Sequence, residues 1–287
     1  MTDTSLAVPE PGRRQWLQDV DPRYFIAFLI TLILVVGQLR YGILGGYDRL
    51  LAALASCVVT ELMLSRWMRG RFVNLYSAYI TGISLSLLLK PEAGLLWPYV
   101  LGGMLAIGSK YVLQYHGRHL WNPSNFAISL LLVAAPDRVA ILSHQFGNHL
   151  ATNAVIWCVG LLIVSRVRVL HVTLTYVLTF LVLAALRSAL GGGNLLTEVA
   201  PLTGPMYQLF IFFMVTDPRT TVGTTRGRMV VAALVAVGEH AIRLAGDHGM
   251  TLLQPLYPSP PIFALAIVGP IAMLLYLRRE VTRPPTR

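Results

Sequence analysis

The chain has 287 residues, 55% of them hydrophobic and only 13% charged, with a net charge of +10 and a mean hydropathy of +0.63. Soluble domains carry roughly 25% charged residues, so this composition excludes an ordinary soluble enzyme. It also assigns the basic excess to the loops of a membrane protein rather than to nucleic acid.

Residues 1–23 are polar and read as a cytoplasmic tail, with Pro9, Pro11, Asp19 and the pair Arg13-Arg14 but no apolar stretch of the signal-peptide kind. Ten apolar segments follow, at 24–39, 49–67, 75–89, 97–114, 123–135, 149–165, 169–188, 204–216, 228–244 and 261–278. A basic tail at 280–287 closes the chain. The lipid bilayer is therefore the first expected partner. A full crossing takes about 20 apolar residues. The third, fifth and eighth segments are shorter and cannot cross a ~30 Å hydrocarbon layer unaided.

The short segments fall into a repeat. Ser77 to Pro91 reads SAYITGISLSLLLKP, and Gly204 to Pro218 reads GPMYQLFIFFMVTDP, each an apolar run closed by proline. Each half then carries a Pro-Ser pair opening an apolar helix, NPSNFAISLLLV from Asn122 and YPSPPIFALAIV from Tyr257. The pattern predicts an all-α integral membrane fold of about ten helices. It divides into five-helix repeats at 24–135 and 136–279. An odd number of spans makes the two copies inverted, which places a site near the midplane where they meet. Asn122-Pro123 and Ser259-Pro260 are both read as N-cap plus N1 proline, each leaving free N–H groups at a helix start.

Loop charges give an orientation. Lys and Arg concentrate in alternate segments, seventeen on the side of the N-terminal tail and six on the other. The bias predicts both termini in the cytoplasm. Cys57 and Cys158 lie far apart in apolar segments, without CxxC spacing, and read as small buried hydrophobes.

Ionisable groups within the segments are the first functional candidates, because they are costly there. Glu61, with Arg66 or Arg69 as expected partner, and Glu239, with Arg243 one turn later, are candidates for a proton or ion relay. Asp217 reads as a cap that accepts from Arg219 or Arg226, with ligand binding as the functional alternative. His116 and His119 flank a turn and lack a third ligand, so no metal site is assigned. Trp97, Tyr111, Tyr115 and Trp121 read as an interfacial aromatic belt, with ring stacking as a second role for Trp121.

Two stretches carry a resemblance. They are GRHLWNP from Gly117, preceded by AIGSK from Ala106, and FMVTDPRTT from Phe213, followed by Arg226-Gly227-Arg228. With Ser77, Thr81-Gly82 and Pro91, they resemble the RnfD/NqrB family of membrane electron-transport proteins, over about residues 50–280. The wording NPSNF and TDPRTT also resembles the UnbU-type relatives named from enediyne clusters. The resemblance implies a urea-transporter-like fold in a bacterial cytoplasmic membrane, and partner subunits in an ion-coupled electron-transport complex. It also implies flavin, FMN or riboflavin, with quinone as a further ligand. The Ser/Thr-Gly-Ala-Thr tetrapeptide that carries covalent FMN in that family does not occur here; the nearest string, Leu202-Thr203-Gly204, lacks its order.

These readings converge on a membrane electron-transport subunit that holds a flavin or quinone non-covalently, at most one component of a redox enzyme and with no catalytic residue of its own assigned. The cofactor-binding candidates are Trp121, Asn122, Pro123, Asn125, Thr216, Asp217, Arg219 and Arg226. The alternatives are a small-solute channel lined by Ser84, Ser86, Asn125 and Thr216, and a non-catalytic structural subunit.

Overall fold

Each apolar segment folds as a helix, and prolines set where two of the three short ones begin. The computed structural model describes residues 22–142, 150–191 and 193–282. The tails at 1–23 and 280–287, and with them the sidedness of the two termini, fall almost wholly outside the described residues. The first half contains α1 (Pro22–Tyr41), α2 (Tyr47–Arg69), α3 (Tyr76–Leu88), α4 (Trp97–Val112) and α5 (Pro123–Ala134). The second contains α6 (Leu150–Arg166), α7 (Leu170–Gly191), the short α8 (Leu195–Val199), α9 (Pro205–Leu209), α10 (Thr225–Asp247) and α11 (Pro260–Thr282). The chain is mostly helical, and α2, α7, α10 and α11 are long and apolar enough to cross a membrane.

The three short segments stay short. α3 has 13 residues, α5 has 12, and α9 has 5 before it widens into a five-residue π-turn, Phe210–Met214. At 1.5 Å per residue these are about 20, 18 and 15 Å long. The α9 segment stops at Asp217 because the residue ahead of a proline avoids the helical region. The α3 segment stops because the chain turns extended.

Four minimal strands occur among the described residues: β1 (Leu89–Pro91), β2 (Gln114–Tyr115), β3 (Arg118–His119) and β4 (Val139–Ile141). β1 pairs antiparallel with β4, Leu89 opposite Ile141, and so ties the C-terminal end of α3 to the segment after α5. Leu89, Val139 and Ile141 are buried, and the ladder satisfies backbone groups that a broken helix would leave unpaired. β2 and β3 form a hairpin whose two-residue turn, His116-Gly117, has positive φ at both positions. The primed hairpin turns need that geometry.

Close approach fixes the packing of the first half. α2 packs against both α3 and α4. A Cβ on Gly82 would lie 3.0 Å from the Leu54 Cα, and one on Gly103 would lie 2.5 Å from the Ser56 Oγ. Small residues at such crossings are how helices gain contact without a hydrophobic driving force. In the second half α10 packs against α7 and α11. Between the halves, α5 meets α11 and α1 meets α6.

Candidate functional site

Asn122 joins the two halves. It caps α5, its Oδ1 accepting from the Asn125 N–H at 3.1 Å and the Ser124 hydroxyl at 3.2 Å. That leaves its Nδ2 to donate to Asp217 Oδ2 at 3.1 Å. The Asp217 carboxylate also accepts from the Thr220 hydroxyl and the Arg219 backbone N–H, both at 3.0 Å. The expected guanidinium partners, Arg219 and Arg226, do not reach it by side chain among the described contacts. A short loop after a proline stop offers donors sooner than a long flexible side chain does. The β2–β3 hairpin holds the same loop, because Arg118 donates to the carbonyls of Thr221 at 3.1 Å and Pro218 at 3.4 Å.

Two chambers adjoin this link. One, of about 400 Å³, is walled by Ile80, Ile163, Val164, Phe212, Phe213 and Met214, with Ser77, Thr81, Ser84, Asn122, Ser124, Thr216, Asp217 and Arg219 as its polar groups. The π-turn lets Phe212 and Phe213 contribute to this wall, and such turns are frequent at functional sites. Gly160 makes room for the Phe212 ring, which a Cβ there would strike. The second chamber, of about 270 Å³, is lined by Glu61, Arg69, Asn74, Lys110, His119 and Thr220. Ser77, Pro123, Asp217 and Arg219 line both. The site therefore lies where the loops at 70–75, 113–122, 167–169 and 217–221 gather, at one end of the helices. From Ser77 to Ser84 the larger chamber follows α3 inward for about 10 Å.

Glu61 is buried, and its partner is neither Arg66 nor Arg69. Lys110 Nζ donates to its Oε2 at 3.1 Å, and the Tyr111 hydroxyl to its Oε1 at 2.6 Å. The close crossing of α2 and α4 brings these groups together, while Arg69 stacks over the Tyr111 ring at 4.9 Å. Tyr111 is thus buried on Glu61 rather than placed in an interfacial belt. Lys110 Nζ also donates to the Ser77 Oγ at 3.0 Å.

Glu239 does pair with Arg243, at 3.0 Å. The hydroxyls of Tyr176 and Tyr207 also donate to its carboxylate, and Arg243 donates to the Tyr207 oxygen as well. Glu239 is fully buried in this closed cluster, away from both chambers. The two halves are alike here: in each, a carboxylate on one long helix is held by a tyrosine on the helix packed beside it.

Burial sets the electrostatics of the loop groups. It lifts the Asp217 carboxyl above its ordinary range, against hydrogen bonds from Thr220 and Asn122. It holds the His119 imidazole below its usual value, against the attraction of Asp217. The His119 Nδ1 is buried and has no partner among the described residues. The hairpin turns His119 inward and leaves His116 exposed.

Five of the eight cofactor candidates line the chambers: Asn122, Pro123, Thr216, Asp217 and Arg219. Trp121 and Asn125 face α11 instead, donating to the carbonyls of Ala266 and Ile262 at 2.9 Å each. Arg226 is exposed in the first turn of α10, outside both chambers. Of the residues expected to line a solute path, Ser84 and Thr216 reach the larger chamber and Ser86 and Asn125 do not. Ser259 does not repeat the Asn122 cap, because its Oγ is buried without a partner among the described residues. Cys57 is buried as expected, but Cys158 is exposed.

Sequence reasoning missed Lys110, Phe212 and Phe213 as site residues. The signal for Lys110 was present, as a lone charge in an apolar segment. The aromatic pair gave none, since two phenylalanines in such a run look like any core. Compared with known families and with curated proteins, the chain matches no family model and no curated sequence.

Proposed function

We propose that the protein is a membrane-embedded electron-transport subunit of the RnfD/NqrB kind, holding a flavin or quinone ring non-covalently in the larger chamber. The observation that carries this reading is the apolar space of about 400 Å³ beside the Asn122–Asp217 link. Ligand sites are commonly apolar clefts of roughly 300–1,000 Å³ with a few placed polar groups. The aromatic wall at Phe212 and Phe213 suits a flat ring. The adjoining polar chamber, with Arg219 and a His119 Nδ1 that has no partner among the described residues, suits the ring's polar edge. A flavin or quinone bound there would supply one- or two-electron redox chemistry; the chain would bind it, orient it and shield it from water.

The ten-helix inverted arrangement belongs to the same proposal. Its support is the matching order of packing, second helix on fourth and fourth on fifth in each half, together with contact between the first turns of α5 and α11. The side where the site's loops gather is then the cytoplasmic one, as their basic residues require.

The test is a visible-range spectrum of the protein purified without denaturation, followed by addition of riboflavin, FMN and a short-chain quinone. Retention of a flavin, or saturable binding of one of the three, is the expected result. A colourless protein that binds none of them overturns the proposal.

A further inference from the structure

Five residues that line the larger chamber carry a hydroxyl group, and four of these hydroxyls already donate a hydrogen bond within the protein. Thr81 donates to the Ser77 carbonyl at 2.7 Å, Ser84 to the Ile80 carbonyl at 2.9 Å, and Thr216 to the Phe212 carbonyl at 2.7 Å. Ser124 donates to Asn122 Oδ1 at 3.2 Å. Ser77 differs. Its oxygen accepts from Lys110 Nζ at 3.0 Å, and its own proton has no acceptor among the described residues.

The polarity of that contact is fixed. An ammonium group has three donors and no lone pair, so Ser77 can only accept from Lys110. Lys110 cannot turn aside, because it is buried and ion-paired with Glu61 at 3.1 Å, and Tyr111 holds the other carboxylate oxygen. Ser77 also lines both chambers.

We infer that the Ser77 hydroxyl donates a hydrogen bond to a carbonyl oxygen of the ring bound in the apolar chamber, with Lys110 and Glu61 as the positioning pair that sets this polarity. The inference rests on the ring-binding reading above and narrows it: the ligand is a flat ring bearing a carbonyl acceptor at the edge that meets Ser77. A hydrocarbon ring of the same outline fills the space and leaves the hydroxyl unpaired.

A matched pair of probes separates the two contributions. 2,3-Dimethyl-1,4-naphthoquinone and 2,3-dimethylnaphthalene have the same outline and differ in their carbonyls. Their affinities for the detergent-purified chain are measured by equilibrium dialysis against empty micelles. One net hydrogen bond corresponds to roughly a five- to tenfold difference, so the wild type is expected to favour the quinone by that factor. Ser77→Ala is expected to abolish the preference by weakening quinone binding alone, and Ser77→Thr to restore it. Unchanged binding of the hydrocarbon by Ser77→Ala serves as the control for folding. Equal binding of both probes by the wild type, or a preference that survives in Ser77→Ala, overturns the inference and leaves the ring-binding reading standing. Binding of neither probe by the wild type overturns the inference, and if riboflavin and FMN fail to bind as well it overturns the reading itself.

Discussion

The indole N–H of Trp121 donates at 2.9 Å to the carbonyl of Ala266, the carbonyl that Pro270 leaves without a helical donor four residues on. A proline inside a helix removes one i to i−4 bond, and a buried carbonyl without a partner is costly. A side chain from the other half of the protein supplies the missing donor.

Trp121→Phe keeps an aromatic ring and removes the donor, and is expected to lower stability by about 1–2 kcal/mol. In a Pro270→Ala background the helix regains its own N–H for Ala266, so the same substitution is expected to cost clearly less. Unfolding of the four proteins in one detergent gives the comparison. Equal losses in the two backgrounds would show that the indole does not serve this carbonyl.

Three donors converge on Asp217, from Asn122, Arg219 and Thr220. Asp217→Asn replaces one acceptor oxygen with an NH2 group, which sets donor against donor whichever way the amide is turned. A loss of about 1–3 kcal/mol is expected, with weaker ring binding because both chambers share this wall. Asn122→Ala is expected to cost about 1 kcal/mol for the lost cap, and more if the Asp217 bond adds to it. A melting series on both variants checks the order.

The Glu61–Lys110 pair is nearly inaccessible, its side chains 6% and 7% exposed. Removing one partner leaves a buried charge alone, so Glu61→Gln and Lys110→Met are each expected to cost about 3–5 kcal/mol. The double variant is expected to cost less than the sum, and a strictly additive result would exclude the coupling.

His119 gives a pH dependence with a defined sign. Its ordinary value is near 6.5, and burial lowers it in the fold. Asp217 and Glu61 oppose the shift, and Lys110 and Arg69 reinforce it. The unfolded chain therefore binds the proton first. The contribution to stability is complete above pH 6.5 and is lost as pH falls from there through the lowered folded value. His119→Gln is expected to flatten that part of the profile, and melting at pH 7.5 and 5.5 measures it. An unchanged slope in the variant would assign the dependence elsewhere.

Phe212 rests edge-on against Trp157 at 5.1 Å and over Gly160. Gly160→Ala pushes that ring towards the open chamber. The expected result is ring binding weakened about tenfold or more, with helix content unchanged and a stability cost of about 1–3 kcal/mol. Circular dichroism with the dialysis assay separates the two effects.

The helices of this protein were legible in its amino-acid order. Apolar runs, N1 prolines at Pro123 and Pro260, and the Asp217-Pro218 stop are local signals that act within a turn or two of chain. The Asn122 cap was equally local, spanning three residues. The pairings that make the site are of another kind. Glu61 meets Lys110 across 49 residues, and Asn122 meets Asp217 across 95. Nearby Arg66 and Arg69 were the natural partners for Glu61 in sequence, yet the glycine-lined crossing of α2 and α4 brought an ammonium group closer. Ser259 looked like a second Asn122, but a hydroxyl caps a helix only where its oxygen can reach the first-turn N–H groups, and the Ser259 Oγ makes no such bond among the described residues. Hydrophobicity and chain stiffness write helices locally. Which polar groups meet inside them depends on how the finished helices cross, and only the tertiary structure holds that.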